Sequence, residues 1–255
     1  DRGRDINILI LGIDARPGEL NSRSDTMILV SLHPSIERAV LVWIPRDTRL
    51  YTPIKGNYKI NNINAIKGPE AACEVVATLM GVEVDHYVVV NFQGFERIID
   101  ILGGVEMDVD INLYSTRSNV YLHKGRQRLN GKEALKYVRF RAMPDADIGR
   151  TQRQQRFVKA LLNQVLRVET ITRLPRLLPE LRENIYTNIR LPDLLFLTEL
   201  AFLFDENNIS TQTLPGYHFI DPYSGTSYWE VDRDIARSLI RSVLTGHSYE
   251  VELKP

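Results

Sequence analysis

Between Tyr137 and Arg156 the chain reads YVRFRAMPDADIGRTQRQQR, and its five arginines, Arg139, Arg141, Arg150, Arg153 and Arg156, give this stretch the most chemistry to offer. Arg139 and Arg141 lie two apart, so extended backbone puts both guanidiniums on one side. Asp147 is placed to cap a helix, Gly149 loosens its first turn, and Arg150, Arg153 and Gln154 then share a face at spacings of three and four. Guanidinium forks and free backbone N–H groups converging on a helix N-terminus suit a phosphate oxyanion. The same residues could instead form a solvated, salt-bridged basic face, and the stretch by itself leaves both readings open.

A second group of charged residues lies near the start of the chain: Asp14, Arg16, Arg23, Asp25, Arg46 and Asp47. Each sits at the boundary of an apolar run. Ile6 to Ile13, Thr26 to Leu32 and Ala39 to Ile44 are rich in β-branched residues and leucine, and the first reads as a strand buried on both faces. If these strands pair antiparallel in sequence order, the end of the first, the start of the second and the end of the third meet at one sheet edge. All six charges would then gather there. Two carboxylates in such a cluster suit Mg²⁺, which takes one or two of them and fills its shell with water and phosphate oxygens. Alternatively, Asp14 and Asp25 simply pair with Arg16 and Arg23. Lys59, in the loop that follows, carries no functional reading by itself.

The elements that must position these residues follow in order. Pro69 and Gly81 bracket a helix holding Cys73 among apolar neighbours. Glu83 to Phe92 reads as a strand, Phe95 to Leu102 as a helix stopped by Gly103 and Gly104, and Val105 to Ile111 as a strand. Asn112 to Arg128 reads as irregular. Asn130 with Glu133 makes a capping box for a short helix, Lys132 to Val138, that presents Arg139 and Arg141. After Asp147 a long helix carries Phe157, Leu161 and Val165 along the face begun by Arg150 and Gln154. That stripe could hold a hydrocarbon tail running inward from a bound phosphate, or pack as ordinary core. Further on, Leu174 to Leu181 and Pro192 to Phe204 read as apolar helices, Ile209 to Leu214 as an edge strand, Pro215 to Gly225 as a loop and Asp232 to Leu244 as a closing helix. The expected fold is α/β, with a central mixed sheet flanked by helices on both faces.

Composition narrows the function classes. Lys plus Arg and Asp plus Glu are 32 each in 255 residues, so no basic field recruits nucleic acid. Within that balance, 24 arginines stand against 8 lysines, a bias that suits bidentate phosphate binding and that a GC-rich genome also produces. A single cysteine excludes an intrachain disulfide, and the five histidines are scattered, which gives no support to a His-centred triad. No zinc-ligand spacing, P-loop or internal repeat is present, nor an apolar run of the ~18 residues a membrane span needs. The chain opens on Asp1 rather than methionine, so a membrane anchor upstream is expected.

Taken together, GIDAR, NSRSDTMILVSL, IPRDT, YKIN, LGGVEMDV, LNGKEALKYVRFR and DIGRTQRQ resemble, in order, the motifs of the LytR-CpsA-Psr family of bacterial cell-envelope proteins. The likeness runs from about Ile6 to Val168 and is looser over residues 170–255. GIDAR departs slightly, with Ile13 and Ala15 where the family often has small polar residues. The resemblance implies one catalytic domain over residues 1–255, extracytoplasmic and held to the cytoplasmic membrane by an N-terminal helix. It implies transfer of a glycopolymer, as a sugar phosphate, from a polyprenyl pyrophosphate carrier to a peptidoglycan hydroxyl, with release of polyprenyl phosphate. On matching positions it implies Mg²⁺ (or Mn²⁺) on Asp14 and Asp25, and pyrophosphate binding by Arg23, Arg46, Lys59, Arg139, Arg141, Arg150 and Gln154. Asp47 and Asp147 would orient these groups, with Arg16 and Arg153 beside them, and the polyprenyl chain would occupy a hydrophobic tunnel between sheet and helices, with Phe157, Leu161 and Val165 among its lining.

The chemistry suits the residues in its own right, since phosphoryl transfer is accelerated mainly by cations that position phosphate and neutralise leaving-group charge. Arg46, Asp47, Arg139 and Arg141 are the expected catalytic set, with Asp47 the candidate base. A lipid-pyrophosphate hydrolase and a non-catalytic polyprenyl-phosphate-binding protein are the alternatives.

Overall fold

The computed structural model describes residues 3–15, 19, 21–52, 56–115, 120–140, 146–166, 184–205 and 207–251. Two compact units emerge, one of residues 1–91, 185–190 and 207–255, the other of residues 92–184 and 191–206.

The first unit is built on a mixed sheet of β1 (Ile6–Ile13), β2 (Ser24–His33), β3 (Arg38–Trp43), β6 (His86–Asn91), β11 (Ile185–Thr187) and β12 (Ile209–Thr213), in the order β11-β6-β1-β2-β3-β12. β1 to β3 form the expected antiparallel meander, with Ile8 opposite Val30 and Leu29 opposite Val42. β6 joins β1, and β12 joins β3, in parallel, because each follows a long crossover. Two hairpins complete the unit, β4 (Arg49–Thr52) with β5 (Gly56–Lys59), and β13 (Gly216–Ile220) with β14 (Ser227–Val231). The second replaces part of the loop expected after Pro215.

The period of two sorts the sheet's side chains. Leu9, Leu11, Ile13, Met27, Leu29, Val40, Val42 and Val89 point to one face and are buried under α2 (Pro69–Met80) and α7 (Arg233–Leu244), whose Val76, Met80, Leu239 and Ile240 join the same cluster. Each such side chain contributes about 1.5–3 kcal/mol by leaving water. The opposite face is less closed. Ile28, Leu41 and Trp43 are buried there, but Ile8, Ile10, Val30, Leu32, Val88 and Val90 are only half-buried. As expected, α2 has Pro69 in its first turn and stops at Gly81, whose φ of 66° ends the helix in the left-handed region. Asp232 caps α7 by accepting from the N–H groups of Asp234 and Ile235.

The second unit contains α3 (Phe92–Ile101), α4 (Gly131–Arg139), α5 (Ala146–Val165), α6 (Leu191–Ala201) and short hairpin strands. Two boundaries differ from the sequence reading for one reason. Gly94 and Gly131 look like helix breakers, yet both lie inside helices. A Cβ on Gly94 would sit 2.7 Å from the Asn184 carbonyl oxygen, and one on Gly131 only 2.2 Å from that of Glu96. The glycines therefore permit close backbone approach. The stretch read as irregular holds β8 (Leu113–Ser115) paired with β9 (Val120–Leu122), and β10 (Gly125–Leu129) paired with β7 (Val105–Val109). β10 escaped notice because Arg126 and Arg128 face solvent and Gln127 stands between them, so its alternation is polar throughout.

Candidate active site

At the edge where β1 ends and β2 begins, the ladder carries a bulge between Gly12 and Ile13, and Ile13 pairs with Ser24. A bulge re-aims the residues beyond it. Here it brings Asp14 out beside the segment bearing Arg23. Ser22 fixes that segment, its hydroxyl donating to the Asp14 carbonyl at 3.0 Å while its own carbonyl accepts from the buried amide of Asn64 at 2.7 Å. Asp14 and Arg23 are both exposed.

β3 ends in the turn Pro45–Arg46–Asp47–Thr48, which is pinned along its length. The Thr48 N–H and hydroxyl donate to the Pro45 carbonyl at 3.0 and 2.7 Å. The Asn61 N–H donates to the Arg46 carbonyl at 3.2 Å, and the Trp229 N–H to that of Asp47 at 2.9 Å. The Asn61 carbonyl in turn accepts from Ser24 at 3.2 Å, so one residue ties the turn to the start of β2. On this frame the charges form a chain. Arg46 Nη1 donates to Asp25 Oδ1 at 2.8 Å, Arg46 Nε lies 3.7 Å from Asp47 Oδ2, and Lys59 Nζ lies 2.8 Å from Asp47 Oδ1. These side chains are between 23% and 36% exposed, open enough to meet a ligand and enclosed enough to stay ordered.

The predicted gathering at the sheet edge is therefore present for Asp14, Arg23, Asp25, Arg46 and Asp47, with Lys59 added. Arg16 lies outside the described residues. Arg46, rather than Arg23, is the partner of Asp25. Sequence reasoning missed Asn61, Asn64 and Trp229, which act through backbone or buried amide contacts. Only the close spacing of asparagines after Lys59 hinted at two of them.

In the second unit the capping box forms as expected. Asn130 accepts from the Glu133 N–H at 3.0 Å, and Glu133 accepts from the Asn130 N–H at 3.0 Å. It starts α4, whose last residue, Arg139, is exposed and stacks its guanidinium 4.0 Å from the Phe92 ring centroid. Beyond it, Arg153 Nη2 donates to the Phe140 carbonyl at 2.6 Å and Gln154 Nε2 to the Val138 carbonyl at 3.3 Å. Both side chains are buried, as is that of Arg150. Arg153 and Gln154 satisfy carbonyls at the C-terminal end of α4, where a cation such as Arg153 also complements the helix dipole. Gln154 thus braces the segment carrying Arg139.

Arg141 lies outside the described residues. Asp147 falls inside the first turn of α5, which begins at Ala146, instead of preceding it as a cap. Phe157 is buried against Phe95, with ring centroids 5.5 Å apart, while Leu161 and Val165 are half-buried. Arg156 is paired with Asp110, which also accepts from the Tyr137 hydroxyl at 3.4 Å. Burial pushes that hydroxyl up to about 12, helped by the Asp110 charge.

Among the described residues no three His, Cys, Asp or Glu side chains form a metal-binding group, and no helix is long and apolar enough to cross a membrane. A site holding Mg²⁺ through Asp14 and Asp25 would therefore rest on two carboxylates from adjacent strand ends. That donor set fits the ion, whose remaining positions go to water and phosphate.

Comparison with known proteins places this geometry in context. The model of the LytR_cpsA_psr family matches residues 1–243. TagU of Oceanobacillus iheyensis, a polyisoprenyl-teichoic acid–peptidoglycan teichoic acid transferase, is 33% identical over 254 residues, which cover 96% of this chain and 77% of that protein. The crystal structure of Bacillus subtilis TagV is 28% identical and matches with a TM-score of 0.81 over 100% of both chains. A structure of TagT bound to LI-WTA is 26% identical and matches with a TM-score of 0.75 over 96% of this chain and 92% of that one.

Proposed function

The chain belongs to the LytR-CpsA-Psr family, and from that premise we propose that it is an enzyme transferring a glycopolymer from a polyprenyl diphosphate carrier to a hydroxyl of peptidoglycan. The observation that carries the reading is the chain Asp25–Arg46–Asp47–Lys59 on its pinned turn, which offers two cations to a phosphate oxyanion while holding a carboxylate between them. The acceptor hydroxyl oxygen attacks the phosphorus bearing the sugar, the bond from that phosphorus to the bridging oxygen breaks, and polyprenyl monophosphate leaves. The hydroxyl proton passes to Asp47, a carboxylate already oriented by Arg46 and Lys59.

Arg46 and Lys59 neutralise charge on the phosphate oxygens, most strongly as it grows on the leaving group. Arg23 serves the same diphosphate; in the second unit, the family resemblance gives phosphate binding to Arg139, Arg141 and Arg150, and Gln154 and Arg153 brace the end of α4. Mg²⁺ or Mn²⁺ on Asp14 and Asp25 would supply further neutralisation of the diphosphate when bound. The polyprenyl tail is assigned to the half-buried aliphatic face of the sheet, where Ile8, Ile10, Val30 and Val88 keep apolar surface available. Such a substrate is carried in a membrane, so the domain works at the outer face of the cytoplasmic membrane.

Native mass spectrometry of the chain mixed with a polyprenyl diphosphate tests donor binding. A one-to-one adduct, weakened by Arg46→Ala, is expected, and a chain that forms no adduct contradicts the reading.

A further inference from the structure

Beside the turn that carries Arg46 and Asp47, the two hairpins of the first unit enclose a cavity of about 200 Å³, lined by Arg49, Tyr51, Asn57, Glu230 and Arg233 among others. Register ties it to the candidate active site. In the first hairpin Arg49 pairs with Lys59 and Tyr51 with Asn57, so all four share one face. In the second, Tyr217 pairs with Glu230 and Phe219 with Tyr228, which again share a face. The two faces meet, since Arg49 forms an ion pair with Glu230 and stacks 4.6 Å from the Phe219 ring centroid, while Lys59 Nζ lies 5.9 Å from that of Tyr228. Asn57 is two residues from Lys59, so the cavity wall lies about 7 Å along the strand from a candidate phosphate ligand.

We infer that this cavity is the acceptor subsite, holding one sugar ring of a peptidoglycan glycan strand while a hydroxyl of that strand is presented near Lys59 and Asp47. The inference rests on the transferase reading above and adds where the acceptor docks. Three features favour a polyol. First, Glu230 pairs with Arg49, so the two arginines and one glutamate of the lining leave a single net positive charge, that of Arg233. Second, Asn57 Nδ2 donates to Asp221 Oδ2 at 3.0 Å, and Asp221 is itself held by the N–H groups of Tyr223 at 2.9 Å and Ser224 at 3.3 Å. The amide orientation is thereby fixed, and Asn57 Oδ1 is a buried acceptor with no partner among the described residues. Third, Tyr51 is 64% exposed and offers a ring face to the C–H side of a sugar, with Tyr217 and Tyr223 exposed on the neighbouring hairpin.

The test measures fluorescence anisotropy of a labelled, uncrosslinked peptidoglycan strand against the parent chain, Tyr51→Ala, Asn57→Ala and Arg46→Ala. Tyr51→Ala and Asn57→Ala are expected to bind at least tenfold more weakly, and Arg46→Ala within twofold of the parent. Tyr51 is too exposed for its truncation to unfold the chain, so a loss there reads as lost contact. Equal binding by all four proteins, no binding by the parent, or a loss in Arg46→Ala as large as in Tyr51→Ala would each overturn the inference. Adduct formation with a polyprenyl diphosphate, measured on the same proteins, separates the two readings. A chain that binds strands through Tyr51 but takes no donor sinks the transferase reading and leaves the glycan site standing.

Discussion

Replacing Arg46 by alanine separates what this side chain does for the fold from what it does for the reaction. Its guanidinium touches Asp25 at 2.8 Å and Asp47 at 3.7 Å, with all three side chains partly exposed. Ion pairs this open are worth about 0–1 kcal/mol each. The turn itself is held by backbone bonds from Thr48, Asn61 and Trp229, none of which needs the Arg46 side chain. Arg46→Ala should therefore cost at most about 1–2 kcal/mol, a fall in Tm of roughly 2–8 °C for a chain of this size. In the reaction, the same guanidinium faces charge that grows as the diphosphate bond breaks. Loss of one such fixed donor costs about 2.7–4 kcal/mol, or 10²- to 10³-fold in kcat. Arg46→Lys keeps the charge without the fork and should recover part of that loss. The assay is steady-state transfer from a polyprenyl diphosphate donor, run beside thermal melts. A kcat within threefold of the parent, or a Tm fall above about 12 °C, would refute the reasoning.

Other positions give smaller, cleaner readouts. Gly94→Ala puts a Cβ 2.7 Å from the Asn184 carbonyl oxygen, so despite the better helix propensity of alanine it should destabilise by about 1–3 kcal/mol, seen as a lower urea midpoint at unchanged m. Asn130→Ala removes one half of the capping box and should cost about 1 kcal/mol, with a donor KM that rises because α4 carries Arg139. The Tyr137 hydroxyl, pushed up to about 12 by burial and then by Asp110, stays neutral in the folded chain where an unfolded tyrosine near 10 has ionised. Its stabilising contribution is thus complete below about pH 10 and is lost as pH rises toward 12. Tyr137→Phe should flatten part of the stability loss over that window, and an unchanged slope would exclude Tyr137 as its source.

Much of the first unit was readable in the sequence because its strands are long, β-branched and joined by short connections. Ile6–Ile13 and the hairpin after it fix which ends meet, and the meeting of Asp14, Asp25 and Arg46 follows from that alone. The bracing was not readable. Asn61 contributes through its main chain and Trp229 arrives from a hairpin over 180 residues away, so neither leaves a local pattern. Gly94 and Gly131 misled for a related reason, since a glycine that breaks a helix and one that lets another backbone segment approach are the same letter. Asp147 shows the limit of capping logic, because one residue of shift turns an N-cap into a first-turn acid. In α5, spacing alone could not tell an arginine that binds a ligand from one that braces a carbonyl, and Arg153 proved to do the latter.

The most direct measurement follows polyprenyl monophosphate by mass spectrometry as the chain acts on a polyprenyl diphosphate-linked teichoic acid precursor, with and without uncrosslinked peptidoglycan strands. Transferase action predicts that release depends on the strands and matches, mole for mole, polymer joined to them through a phosphodiester. Release at the same rate without strands would instead identify a hydrolase, and no release under either condition would contradict a catalytic role for the Asp25–Arg46–Asp47–Lys59 chain.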